Sequence, residues 1–237
     1  MKITKIFLFS LVLGAFAISS CQKQGCTDTS ATNYDSSAAQ DDGTCTYIPT
    51  ITVIGDDTVT VAVGDTYNDA GASATNQDGT AVVVTTDASS VNTGMVGTYT
   101  VTYTAINAYG TATKTRTVKV VITQGSWTTK TWNITDDCSA TQFPISSPAT
   151  LAAGATSTDL EFSSFFTLVG GTATATISGN TITFPSQTIS ITGGSITLSG
   201  TGTMNNSGTE FVVNFSYDNT VPLLGGTGTC TATYTAQ

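Results

Sequence analysis

Apolar and polar positions alternate along most of this chain, and the alternation comes in two blocks. In residues 49–122, Ile51-Thr52-Val53-Ile54 and Thr58-Val59-Thr60-Val61-Ala62-Val63 are separated by the turn Gly55-Asp56-Asp57. Val82-Val83-Val84 is a short buried-type run. The alternation resumes through Thr98-Tyr99-Thr100-Val101-Thr102-Tyr103 and, past Asn107-Ala108-Tyr109-Gly110, runs on to Val121. A period of two marks half-buried strands, and the Gly-containing break marks a hairpin. About seven short strands fit an Ig-like sandwich. The second block, residues 124–237, predicts strands at 127–134, 159–168, 172–177, 181–184, 187–191, 195–203, 211–217 and 229–235, with turn signals such as Ser178-Gly179-Asn180 and Asn205-Asn206-Ser207-Gly208 between them. Eight antiparallel strands with short links predict a meander, closed as a barrel or flattened as a sandwich, with the barrel preferred. The fold class is therefore all-β: an Ig-like β-sandwich followed by a second antiparallel β-domain.

Two segments break the period. Residues 6–18 are apolar, preceded by Lys2 and Lys5 and followed by Ser19-Ser20-Cys21. This is the layout of a secretory signal, too short for a membrane span of roughly 20 apolar residues. Residues 22–48 hold no apolar pattern long enough for a core. The expected division is 1–20 signal, 21–48 cysteine-bounded linker, 49–123 sandwich and 124–237 second β-domain.

Composition supports an exported chain. Thr, Gly, Ser, Ala and Val dominate and only 10% of residues are charged. Without the leader, five basic residues face sixteen acidic ones, a net charge near −11. That balance argues against a nucleic-acid partner and against anionic lipid as an electrostatic anchor. Of five cysteines, Cys21 is set apart by the leader, leaving Cys26, Cys45, Cys138 and Cys230. An even remainder in an exported chain reads as two disulfides. Three connectivities are open, and the domain division favours Cys26–Cys45 and Cys138–Cys230.

Ile18-Ser19-Ser20-Cys21 resembles the lipobox of bacterial lipoproteins. The resemblance implies that Cys21 is acylated and that the membrane is reached through lipid. Gln22 stands where an Asp would retain such a protein at the inner membrane, which implies sorting to the outer membrane or cell surface. Gly25-Cys26-Thr27-Asp28, Ala31, Asn33-Tyr34 and Asp41-Asp42-Gly43-Thr44-Cys45 resemble a short cysteine-bounded repeat of secreted bacterial surface proteins. Gly64-Asp65-Thr66-Tyr67, Gly71-Ala72 and Gly97-Thr98-Tyr99-Thr100-Val101 resemble bacterial Ig-like domains of the kind named after a pesticidal crystal protein. That family implies a spacer or adhesive module. An acidic loop frequent in it is reduced here to Asn76-Gln77-Asp78-Gly79. Gly125-Ser126-Trp127 resembles the G-x-W of lipocalin-like barrels, without the basic residue that completes that signature.

Candidate chemistry is sparse. The absence of His removes the usual general base and the commonest metal ligand. Asp28, Asp35, Asp41 and Asp42 could offer oxygens to calcium, but their spacing is not that of an EF-hand, and solvated Asx turns are the preferred reading. No other cofactor is expected. The carboxylate pairs Asp136/Asp137 and Asp159/Glu161 are the remaining route to a glycan hydrolase. Outward strand and loop positions are commoner for such acids, so the expectation is no enzyme. Trp127, Trp132, Phe165, Phe166, Phe211, Phe215 and Tyr217 could meet a ligand, although most are expected in the core. Phe165-Phe166 is set apart, because neighbours on one strand face opposite sides and one should leave the core. The expected role is non-catalytic surface binding or adhesion by a monomer, with a surface glycan or protein as partner. The alternative is a barrel carrying a small apolar ligand.

Overall fold

The computed structural model describes residues 22–138, 144–167, 170–191, 193–222 and 225–237. Cys21 and the predicted leader lie outside them. The linker is a small knot: β1 (Gln24–Gly25) and β2 (Gln40–Asp41) pair in parallel, and a Cys26–Cys45 disulfide closes the segment. Cys26 is buried, while most of the surrounding residues are exposed. A segment this short cannot bury enough surface to hold itself, so the cross-link replaces a core.

Seven strands follow, as the alternation predicts: β3 (Thr50–Val53), β4 (Thr58–Ala62), β5 (Ala72–Thr75), β6 (Ala81–Val82), β7 (Val84–Asp87), β8 (Gly97–Asn107) and β9 (Gly110–Val121). They form two sheets, β3-β5-β6 and β4-β9-β8-β7, with β4 parallel to β9 and the other pairs antiparallel. Val101, Tyr103 and Ala105 of β8 and Val118 and Val120 of β9 are buried, as are Ile51 and Ala74 of the other sheet. The β8–β9 hairpin turns through Asn107-Ala108-Tyr109-Gly110, where the Asn107 Oδ1 accepts the N–H groups of Tyr109 (2.9 Å) and Gly110 (3.1 Å).

The second β-domain is a meander closed almost completely into a barrel. After a short helix, α1 (Gln124–Thr128), come β10 (Thr131–Asp136), β11 (Ala149–Thr150), β12 (Ala152–Ala153), β13 (Asp159–Phe162), β14 (Ala173–Ser178), β15 (Thr181–Ile191), β16 (Gly194–Met204), β17 (Glu210–Asn219) and β18 (Gly226–Ala236). From β12 to β18 each strand pairs with the next, and β18 pairs with β10. The outermost strands of this sheet are β11 and β12, separated only by Leu151, so the sheet meets itself within one segment. The Cys138–Cys230 disulfide lies where β10 ends against β18.

Three strand predictions need correction. Residues 127–134 do not form one strand: the Thr123 N–H donates to Ser126 Oγ (3.1 Å), a helical turn forms, and Trp127 enters the core from α1. The strand expected at 159–168 stops at Phe162, where a turn at Ser163-Ser164 places Ser164 at φ 52. The two strands expected at 181–184 and 187–191 are one strand, β15. Its register shifts between Phe184 and Gln187, which accommodates Pro185 at a position without a ladder donor.

Candidate functional site

The barrel interior, where the carrier alternative would hold its apolar ligand, is filled by aromatic rings. Trp127 and Trp132 meet Phe211 edge-on at 5.0 and 4.8 Å, and Phe211 stacks on Tyr234 at 4.1 Å. Phe162 links Tyr234 to Phe184, and Phe184 meets Phe215 at 4.9 Å. Phe165 packs on Phe215, with Phe166 beside it. Six of the seven aromatic ligand candidates are therefore core: Trp127, Trp132 and Phe211 are 0% exposed, Phe165 and Phe215 3% and Phe166 6%, while Tyr217 is half-buried. The expectation that Phe165 or Phe166 must face out fails because the turn at Ser164 ends the strand before them, so its alternation does not apply. Behind this pair lies a cavity of about 20 Å³, lined by Ile196, Leu198 and the Cys138–Cys230 bridge among others. That volume suits one water, not an apolar ligand.

Among the described residues, three polar atoms in this interior have no hydrogen-bond partner: the Tyr234 hydroxyl, Asp136 Oδ1 and the Trp127 indole Nε1. Burial, with the Asp136 charge nearby, pushes the Tyr234 phenol far above its ordinary range. Asp136 and Asp137 do not act as a facing pair. Asp136 follows the inward phase of Trp132 and Ile134, whereas an Asp137 carboxylate oxygen accepts the Thr231 N–H (2.6 Å). Asp137 also lies beside Cys138 and Cys230, whose sulfurs are joined to each other.

Asp159 and Glu161 lie along an outer groove of about 310 Å³ with Thr174, Thr176 and Pro185. The Asp159 Oδ2 accepts the Thr156 N–H (3.0 Å), which ties down the preceding turn. The acids proposed for calcium are used one by one in local turns. Asp28 Oδ1 accepts from Ser30, Asp35 Oδ1 from Ser37, Asp41 Oδ1 from the Gly43 N–H and Asp42 Oδ1 from Thr44. Hydrogen bonds from Lys23 and Ser37 hold the Asp35 carboxyl well below the usual range. Bonds from Thr44 lower that of Asp42.

The sandwich contains a polar cluster that the sequence reading passed over. Arg116 is 1% exposed and pairs with Asp69. Asp69 Oδ1 also accepts the Tyr67 and Tyr103 hydroxyls, each at 2.7 Å, while Oδ2 accepts the Gly71 N–H (3.0 Å). The remaining Arg116 donors reach the Asp56 and Ile54 carbonyls. Burial raises the Asp69 carboxyl, but the three donors outweigh it and the group ends below its ordinary value. Burial and the bond to Asp69 push the Tyr103 phenol up to about 12. The signal was available: in β9, Arg116 shares the inward phase of Val118 and Val120. Every strong donor and acceptor here is used internally, so the cluster is a staple, not a ligand site.

The sandwich is held at both ends. At one, the Asn107 amide donates to the Tyr47 carbonyl (2.8 Å) and to Asn76 Oδ1 (2.9 Å), seating the linker knot. At the other, the Val96 N–H donates to the Asn206 carbonyl of the barrel (2.8 Å), in a turn where the barrel's own Lys130 ammonium reaches the Gly208 carbonyl. Gly208 has φ 67, and a Cβ there would stand 2.8 Å from Val63 Cγ1, so this contact favours glycine.

Residues 51–120 match the family model of the bacterial surface protein, Ig-like domain. The match covers the sandwich and less than a third of the chain. The crystal structure of a lipoprotein from Bacteroides thetaiotaomicron is similar over 79% of this chain and 99% of its own, at 16% identity and a TM-score of 0.28. No curated protein matches the chain. The surface-type Ig-like domain, with two disulfides beside it, points to a cell-surface or extracytoplasmic protein.

Proposed function

We propose that this protein is a lipid-anchored, non-catalytic binding or adhesion protein of the bacterial surface. Lipid on Cys21 holds it to the outer membrane, the Ig-like domain is a spacer, and the barrel is the body presented outward. The observation that carries the reading is the placement of both junctions on one strand. β8 begins at Gly97, next to the Val96–Asn206 contact, and ends at Asn107, which holds the linker. Eleven residues of strand span about 35 Å. The barrel and the segment that follows Cys21 thus sit at opposite ends of the sandwich. The filled barrel favours recognition by an outer surface over carriage of an apolar molecule.

Protease shaving of intact cells, with mass analysis of released and retained peptides, tests this. The expected result is release of peptides from residues 124–237 while an acylated Cys21 peptide stays in the membrane. Release only after the outer membrane is broken would overturn the outward reading, and an unacylated Cys21 would overturn the anchor.

A further inference from the structure

A groove of about 410 Å³ opens where the linker knot meets the sandwich, lined by Tyr47, Asn76, Gln77, Asp78, Asn107 and Tyr109 among others. Three chain segments distant in sequence build it: the end of the knot, the β5–β6 turn and the β8–β9 hairpin. Its floor is fixed by hydrogen bonds. Besides holding the Tyr47 carbonyl and Asn76 Oδ1, Asn107 is locked by the hairpin N–H groups. The Asn76 amide donates to Thr80 Oγ1 (2.9 Å), and the Tyr47 hydroxyl donates to Asp28 Oδ2 (2.8 Å). The rim is different. Tyr109 is 57% exposed, and neither its hydroxyl nor the Gln77 amide has a protein partner among the described residues. Asp78 uses only Oδ1, on the Thr80 N–H and hydroxyl, leaving Oδ2 open.

We infer that this groove binds a neutral saccharide, with the Tyr109 ring against the sugar's C–H face and Gln77 and Asp78 bonding its hydroxyls. An amide supplies both donor and acceptor and a carboxylate accepts, which matches neighbouring hydroxyls that each donate and accept. Aromatic rings supply apolar contact area at small entropic cost. A floor already fixed lowers the cost of ordering on binding. None of the lining residues is basic and Asp78 carries a negative charge, so an anionic ligand is disfavoured. The volume falls in the usual range for small-ligand sites. The inference rests on the surface-binding reading but puts a site at the spacer's anchor-side end, apart from the barrel.

The test uses the purified full chain with maltohexaose, cellohexaose, xylohexaose, chitohexaose and mannotetraose as probes, read by saturation-transfer NMR and calorimetry. At least one should bind. Tyr109→Ala should weaken it about tenfold, Tyr109→Phe should retain most affinity, and Gln77→Ala should weaken it less than Tyr109→Ala. These side chains lie outside the core, so the variants should keep the parent's unfolding midpoint. No binding by any probe, or binding unchanged in Tyr109→Ala, would overturn the inference. So would capture at Tyr109 of a lysine-rich hexapeptide in place of the sugars. Neither result depends on where the protein sits in the cell, so the site and the surface assignment fail separately.

Discussion

In the Ig-like sandwich the interior is crossed by one charged side chain: Arg116 reaches Asp69, and two tyrosines complete the carboxylate's bonds. In the barrel the interior is a run of packed rings from Trp127 to Phe166, with three partnerless polar atoms among the described residues. The first interior depends on complete pairing, since removing one member strands the rest. The second depends on volume and shape, and its polar atoms are a cost. Two neighbouring β-domains thus have opposite sensitivities: one to charge and pH, the other to cavities.

The comparison breaks most visibly with Phe211→Ala. This change removes the ring that touches Trp127, Trp132 and Tyr234 and should cost the barrel about 4 kcal/mol. Both tryptophans are in the barrel, so their emission in urea reports that domain, while amide exchange in β8 and β9 reports the sandwich. If β9 protection falls equally, the two domains unfold as one unit and the contrast is lost. Arg116→Met should do the reverse, costing the sandwich about 3 kcal/mol because Asp69 is left without its cation, with tryptophan emission unchanged at the same urea concentration.

Acid sharpens the contrast at smaller amplitude. The Asp69 carboxyl is lower in the folded chain than in the unfolded one. Its stabilisation is therefore complete above the unfolded value of about 3.9 and is lost as pH falls through the folded value. Protection of the β9 amides, relative to their intrinsic exchange at each pH, should fall below about pH 4, and Asp69→Asn should abolish that dependence. The smallest effect belongs to Tyr234→Phe, which removes a buried hydroxyl without a partner. It should raise the barrel's stability by about 1 kcal/mol, and a loss of similar size in the urea midpoint would show that the hydroxyl is satisfied by water.

Alternation made the strands legible, and cysteine parity with the domain division gave the pairs that the structure joins. What escaped was set by single residues or by distance. One Ser126–Thr123 bond turned a predicted strand start into α1, and one turn at Ser164 sent both Phe165 and Phe166 inward. Arg116 was visible only to a reading that followed inward phase regardless of residue type. The Tyr109 groove could not be read in advance, because its residues come from positions 45–47, 76–78 and 107–109 and share no local pattern.

The meeting of β11 and β12 across Leu151 has a consequence for life in a crowd. An open sheet ends in rows of unpaired amides and carbonyls that invite a strand from another copy. Here the two borders of the barrel sheet are two-residue strands on consecutive pieces of one backbone, β11 bonded to β10 and β12 to β13, so the barrel presents little edge to a second copy. Barrels packed side by side at high density can touch through their threonine-rich outer faces with little strand edge to zip together.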